Sequence, residues 1–135
     1  MKLTVGSNHQ ESLRFSQQDV IDFARVSGDD NPIHLDAVYA ATTQFGRPII
    51  HGMISGCVFT RIMGTKFPGY GSIYIAQTIE FKRPMFVETD YEAKFTIISV
   101  NEEKHRAEIF CEIIDKITGK TTTTGTATMI NLERF

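Results

Sequence analysis

Gly52-Met53-Ile54-Ser55-Gly56-Cys57-Val58-Phe59-Thr60-Arg61-Ile62-Met63-Gly64-Thr65-Lys66-Phe67 decides the fold. Read as a helix, this stretch carries apolar side chains around most of its circumference, and such a helix belongs in the centre of a domain. Glycine inside a helix costs about 1 kcal/mol relative to alanine. Gly52, Gly56 and Gly64, with Ser55, therefore predict that strands or another backbone pack closely here. The wrapping follows in the sequence. Ile73, Ile75, Ile79 and Phe81 alternate, with Gln77 on the same face. Tyr91, Ala93, Phe95 and Ile97 form a second set, and Ala107, Ile109, Cys111 and Ile113 a third. A threonine-rich run, 120–132, supplies a fourth, with Gly125, Ala127 and Met129 on one face. Turn residues at 101–104 and 115–120 make the last three strands a meander, and Pro84 interrupts the chain before them. The expected class is α+β, an antiparallel sheet curled around a buried helix. Other α+β arrangements fit the same string.

Upstream, helical patterns dominate. Ser12 to Phe15 reads as a short strand. Ser16 is placed to cap a helix, with Asp19 in the capping-box position. Val20, Phe23, Ala24 and Ser27 then share a face, and Gly28 is a natural stop. Asp36 reads as the N-cap of a shorter helix over 37–41.

A chain of 135 residues favours one domain, taken as 1–135. The net charge of −2, without a long basic run, argues against nucleic acid as a partner. No run of about 18 apolar residues exists to span a membrane. Residues 1–11 lack the apolar segment of a secretory signal, so a cytoplasmic protein is expected. Cys57 and Cys111 fit no metal-binding spacing and read as two buried, reduced thiols.

The stretch with chemistry in it is Ser27-Gly28-Asp29-Asp30-Asn31-Pro32-Ile33-His34-Leu35-Asp36. Asp, Asn and Pro are ordinary turn formers, and composition alone would make this a turn. Pro32 holds Asn31 extended, which stiffens the connection and suits side chains that need fixed positions. A second stretch shifts the balance: Arg47-Pro48-Ile49-Ile50-His51-Gly52-Met53, at the start of the central helix.

Together these stretches resemble the signature of the MaoC-like (R)-specific enoyl-CoA hydratase family. The motif residues are Gly28-Asp29-x-Asn31-Pro32-x-His34, then Ala40 and Phe45, then Ile50-His51-Gly52-Met53. Gly71-Ser72-Ile73-Tyr74 and Phe81-x-x-Pro84-x-Phe86 extend the likeness, which runs from about residue 12 to 130. The resemblance implies a single hot dog fold, a homodimer, a CoA-thioester substrate and neither metal nor organic cofactor. It places the catalytic acid and imidazole on Asp29 and His34, and an oxyanion donor on the backbone N–H of Gly52.

Elementary chemistry agrees. Hydration of an enoyl thioester puts oxygen on C3, a proton on C2 and transient negative charge on the thioester oxygen. Asp29 and His34 sharing one water serve the first two needs on one face, giving syn addition. The N–H of Gly52 and the positive end of its helix serve the third. Which partner is acid and which is base is left open by the sequence.

Weaker candidates surround this set. Asn31, Thr60, Gln77 and Met53 are carried as substrate contacts, although loop orientation or core packing explains each as well. Met85 and Phe59 are further candidates for the acyl pocket, and Lys82, Arg83, Arg61 and Lys66 for the CoA phosphates. His51 reads as a hydrogen-bonded packing residue, and His9 and His105 as exposed and inert. Two other functions fit the expected fold: a hot dog thioesterase, and a non-catalytic acyl-thioester binding subunit. Acyl carrier protein is as acceptable a carrier as CoA.

Overall fold

Three long strands follow the alternation of the second half of the chain. In the computed structural model, which describes residues 1–135, they are β4 (Tyr91–Asn101), β5 (Arg106–Asp115) and β6 (Thr121–Ile130). They form the expected antiparallel meander. The earlier elements are β1 (Asn8–Leu13), α1 (Gln17–Ser27), α2 (Pro32–Leu35), α3 (Ala37–Ala41), α4 (Ile54–Thr65), β2 (Ile73–Gln77) and β3 (Glu80–Phe81). The sheet runs β1-β4-β5-β6-β2, with β3 also paired to β6.

One face of the meander is the core. Tyr91, Ala93, Phe95 and Ile97 are buried, as are Ala107, Ile109, Cys111 and Ile113, and Ala127 and Met129. They cluster with Val58, Phe59, Ile62 and Met63 of α4, and the Phe59 ring meets the edge of Phe95 at 5.8 Å. Burying a side chain of this size is worth roughly 1.5–3 kcal/mol. The sheet thus wraps the helix as expected.

Several details differ. The helix is not covered on every side: Met53 is 57 % exposed, and Cys57 and Thr60 are exposed. Cys57 is therefore a surface thiol, and only Cys111 is buried; neither is in a disulfide. Ile73 and Ile75 do not face the core. The register of β2 on β6 shifts between Tyr74 and Ala76, and the positions opposite the core residues Met129 and Ala127 are Tyr74 and Gln77. The bulge turns the isoleucines outward. The first strand starts at Asn8 and takes in His9, which approaches Glu11, so that histidine is not in a tail. His105 is half-buried, with Nδ1 donating to the Phe135 carbonyl.

The helix ends behave as their residues dictate. Ser16 and Asp19 form the full capping box on α1, and Gly28 closes it with φ 77°. Asp36 caps α3 through the N–H groups of Val38 and Tyr39.

Candidate active site

Asp29 and His34 leave the C-terminus of α1 along a connection braced by its own side chains. Asn31 has φ −50° and ψ 124°, extended at ψ as a residue before proline should be. Its Oδ1 accepts from the Ile33 N–H and caps α2, and Pro32 occupies the first helical turn. His34 therefore projects from a one-turn helix rather than from a loop. Asp29 Oδ1 accepts from the Asn31 N–H, and Asp29 is exposed while His34 is buried.

Backbone contacts fix the imidazole. His34 Nδ1 lies 2.7 Å from the carbonyl of Ile49. A carbonyl can only accept, so Nδ1 carries the proton and the lone pair of the neutral ring sits on Nε2. The Ile49 N–H donates to the Ile33 carbonyl, which ties the segment before α4 to the helix bearing His34.

The start of α4 closes the site. The carbonyls of His51, Gly52 and Met53 accept from the N–H groups three residues on, so a tight turn precedes the regular helix. The helix begins at Ile54 rather than at Gly52, and no side chain caps it. The Gly52 N–H donates to no backbone carbonyl, which leaves it free for a ligand. A Cβ at Gly52 would come within 2.9 Å of the Phe81 ring, so glycine is needed here to admit Phe81.

His34 and Gly52 open into one cavity of about 380 Å³, lined also by Phe45, Ile50, Ser55, Phe81, Met85 and Thr123. Lys82 and Arg83 stand on its wall. Side-chain ligand atoms of Asp29, His34 and His51 lie within 4.8 Å of one another. The two imidazoles are stacked at 3.9 Å with a 26° tilt. A metal lies in the plane of each imidazole it binds, at about 2 Å, and these two planes meet only well beyond the rings. The two stacked rings therefore do not turn their lone pairs on one shared ion.

The weaker candidates scatter. Asn31 is a cap, and Thr60 and Met53 lie on the uncovered flank of α4. Gln77 bonds the Tyr74 hydroxyl and the Thr78 carbonyl. None of these four lines the cavity, and neither does Phe59, which is fully buried. Met85 does line it. Arg61 and Lys66 are both held by Glu11, leaving Lys82 and Arg83 as the basic groups at the cavity. A larger groove of about 670 Å³ between β1, α1 and α4 contains none of Asp29, His34 or Gly52. Sequence reasoning missed the Ile49 carbonyl and the Phe81 ring, because a main-chain acceptor and a contact 29 positions away leave no local pattern.

Comparison with known proteins decides the family. A family model described as a MaoC like domain matches residues 4–126. This chain belongs to the MaoC-like family. The MaoC-like chain is 41% identical over 111 residues to an (R)-specific enoyl-CoA hydratase of Aeromonas caviae, covering 82% of this chain and 83% of that protein. It is 37% identical over 109 residues to a 3-hydroxybutyryl-CoA dehydratase of Methylorubrum extorquens, covering 81% and 69%. The solved structure of the A. caviae (R)-hydratase superposes with a TM-score of 0.91 at 39% identity, over 96% of this chain and 97% of that one. The expected hot dog architecture is therefore the architecture of this MaoC-like protein.

Proposed function

We propose that this protein is an (R)-specific enoyl-CoA hydratase, which in reverse dehydrates 3-hydroxyacyl thioesters, with Asp29, His34 and Gly52 as its reacting groups. The observation that carries this reading is His34 in one cavity with the unbonded N–H of Gly52, with the Asp29 carboxylate close to His34 although it does not itself line that cavity. The likeness to relatives named for that activity supports it.

In this reading His34 moves the proton and the Asp29 charge holds the water. A water between the two side chains donates one O–H to the Asp29 carboxylate and the other to His34 Nε2. Its oxygen attacks C3 while Nε2 takes the proton, and the C2–C3 π electrons move to the thioester as an enolate. The enolate oxygen meets the Gly52 N–H and the N-terminal end of α4. The imidazolium, stabilised by the Asp29 charge, then returns its proton to C2 on the same face. Atoms balance: C3–O and C2–H form, one O–H of water breaks, and His34 ends neutral.

Crotonyl-CoA tests the reading. Loss of enone absorbance without free thiol is the expected result, whereas thiol release would mean a thioesterase. Binding without turnover would mean a silent subunit.

The protein works as a homodimer in this proposal. Ile73, Ile75 and Phe81 are exposed by 59, 46 and 50 % along the β2–β3 edge, and an apolar strand edge invites pairing. The substrate is an acyl-CoA, with acyl carrier protein as the other admissible carrier. No helix is long and apolar enough to cross a membrane; a cytoplasmic location goes with the unpaired thiols.

A further inference from the structure

His51 is 3 % exposed and touches every part of the machinery. Its Nε2 lies 2.9 Å from the main-chain carbonyl of Asp29, so Nε2 carries a proton and donates it. One face of its ring stacks on His34 at 3.9 Å. Phe23 of α1 packs against it at 4.8 Å, tilted by 59°. Its peptide unit supplies the Gly52 N–H directly. The other ring nitrogen, Nδ1, is buried with no hydrogen-bond partner.

This arrangement exceeds what packing requires. A buried imidazole with an unpaired nitrogen is a cost, and an apolar ring would fill the same space without it. What an apolar ring would lose is the Nε2–H bond. That bond holds the carbonyl side of Asp29, whose N–H donates to Ser27 Oγ and whose exposed carboxylate accepts from the Asn31 N–H, both within its own turn; His51 alone ties it to the segment before α4. The stack meanwhile sets the height of the imidazole plane of His34.

We propose that His51 is a positioning residue that locks Asp29, His34 and the Gly52 amide into one frame, acting on turnover through the Nε2–H bond to the Asp29 carbonyl. It touches no reacting atom in this role. The inference rests on the hydratase reading for its kinetic consequences, but the bond itself does not.

Two variants separate the donor from the ring. His51→Phe keeps the stack and removes the donor; His51→Gln removes the ring and offers an amide N–H near the same place. A misplacement of about 1 Å can cost on the order of 100-fold in rate. The expected result with crotonyl-CoA is a fall in kcat of about 10- to 100-fold for His51→Phe, with KM within about twofold, and recovery of most of the loss in His51→Gln. Unchanged kcat in His51→Phe would overturn the proposal, as would a His51→Gln enzyme no faster than His51→Phe. Nitrogen NMR of the wild-type protein gives a reading independent of folding in the variants and of catalysis. It should find His51 protonated at Nε2 and His34 at Nδ1, and an Nδ1–H tautomer at His51 would overturn the proposal even in an inactive protein. Absence of hydration by the wild type would count against the hydratase reading, leaving the tautomer to decide this one.

Discussion

At the scale of single residues, catalysis depends on which atoms hold protons. His34 donates from Nδ1 to the Ile49 carbonyl, which leaves the lone pair of the neutral ring on Nε2. His34→Ala should lower kcat by about 10²- to 10⁴-fold, the range for a positioned proton-transfer group, and should also lower the thermal midpoint, because it empties a buried position and leaves the Ile49 carbonyl unpaired. Asp29→Asn should also lower turnover by at least about 100-fold while acyl-CoA binding persists, because it removes the charge facing the imidazolium. Steady-state kinetics together with calorimetric binding check both, and wild-type turnover in either variant would remove that residue from the mechanism. The acid and the imidazole were legible because they sit five positions apart around Asn-Pro. Their restraints were not. The Ile49 carbonyl has no side-chain signature, and His51 finds its acceptor 22 residues away.

Among the elements, strand contacts set the tolerances. Gly125 lies in β6 where the turn after β2 crosses, and a Cβ there would collide with the Thr78 carbonyl oxygen. Backbone cannot yield as a side-chain tip does, so Gly125→Ala should destabilise by about 3 kcal/mol, at the upper end for overpacking. A urea midpoint equal to wild type would contradict it. Strand β1 is tied to α4 through Glu11, which pairs with Arg61 at 2.8 Å and Lys66 at 3.0 Å. Burial pushes its carboxyl up, but the hydrogen bonds from Arg61, Lys66 and His9 outweigh this and hold it at about 2, below its ordinary 4.5. A depressed carboxylate stabilises the fold above its unfolded value, and the contribution fades as pH falls from about 4.5 towards about 2. Glu11→Gln should therefore cost about 1 kcal/mol at neutral pH, a modest figure because both cations are half-exposed. The gap to wild type should narrow across that acid window, and a gap independent of pH would refute the ion-pair origin. The meander was readable from alternation because one of its faces is buried. Strand β2 was misread because a bulge, which alternation does not announce, reverses which side chains point inward.

Viewed as a whole molecule, the chain leaves apolar surface beside its site. Ile73 and Ile75 on the sheet edge and Met53 on the uncovered flank of α4 are exposed. Sedimentation at micromolar concentration should give a dimer, and Ile73→Lys with Ile75→Lys should shift it towards monomer; a wild-type monomer would contradict the proposed assembly. The central helix was legible from composition, but its open side was not, because apolar residues that no strand covers read as core. The most direct measurement is hydration of crotonyl-CoA in heavy water, with the configuration of the product read by NMR. One water held by Asp29 and His34 on a single face should give the (R)-3-hydroxy thioester with deuterium at C2 added syn to the new hydroxyl. Anti addition, or deuterium scrambled between the two C2 positions, would contradict a shared water and with it the roles given to both side chains.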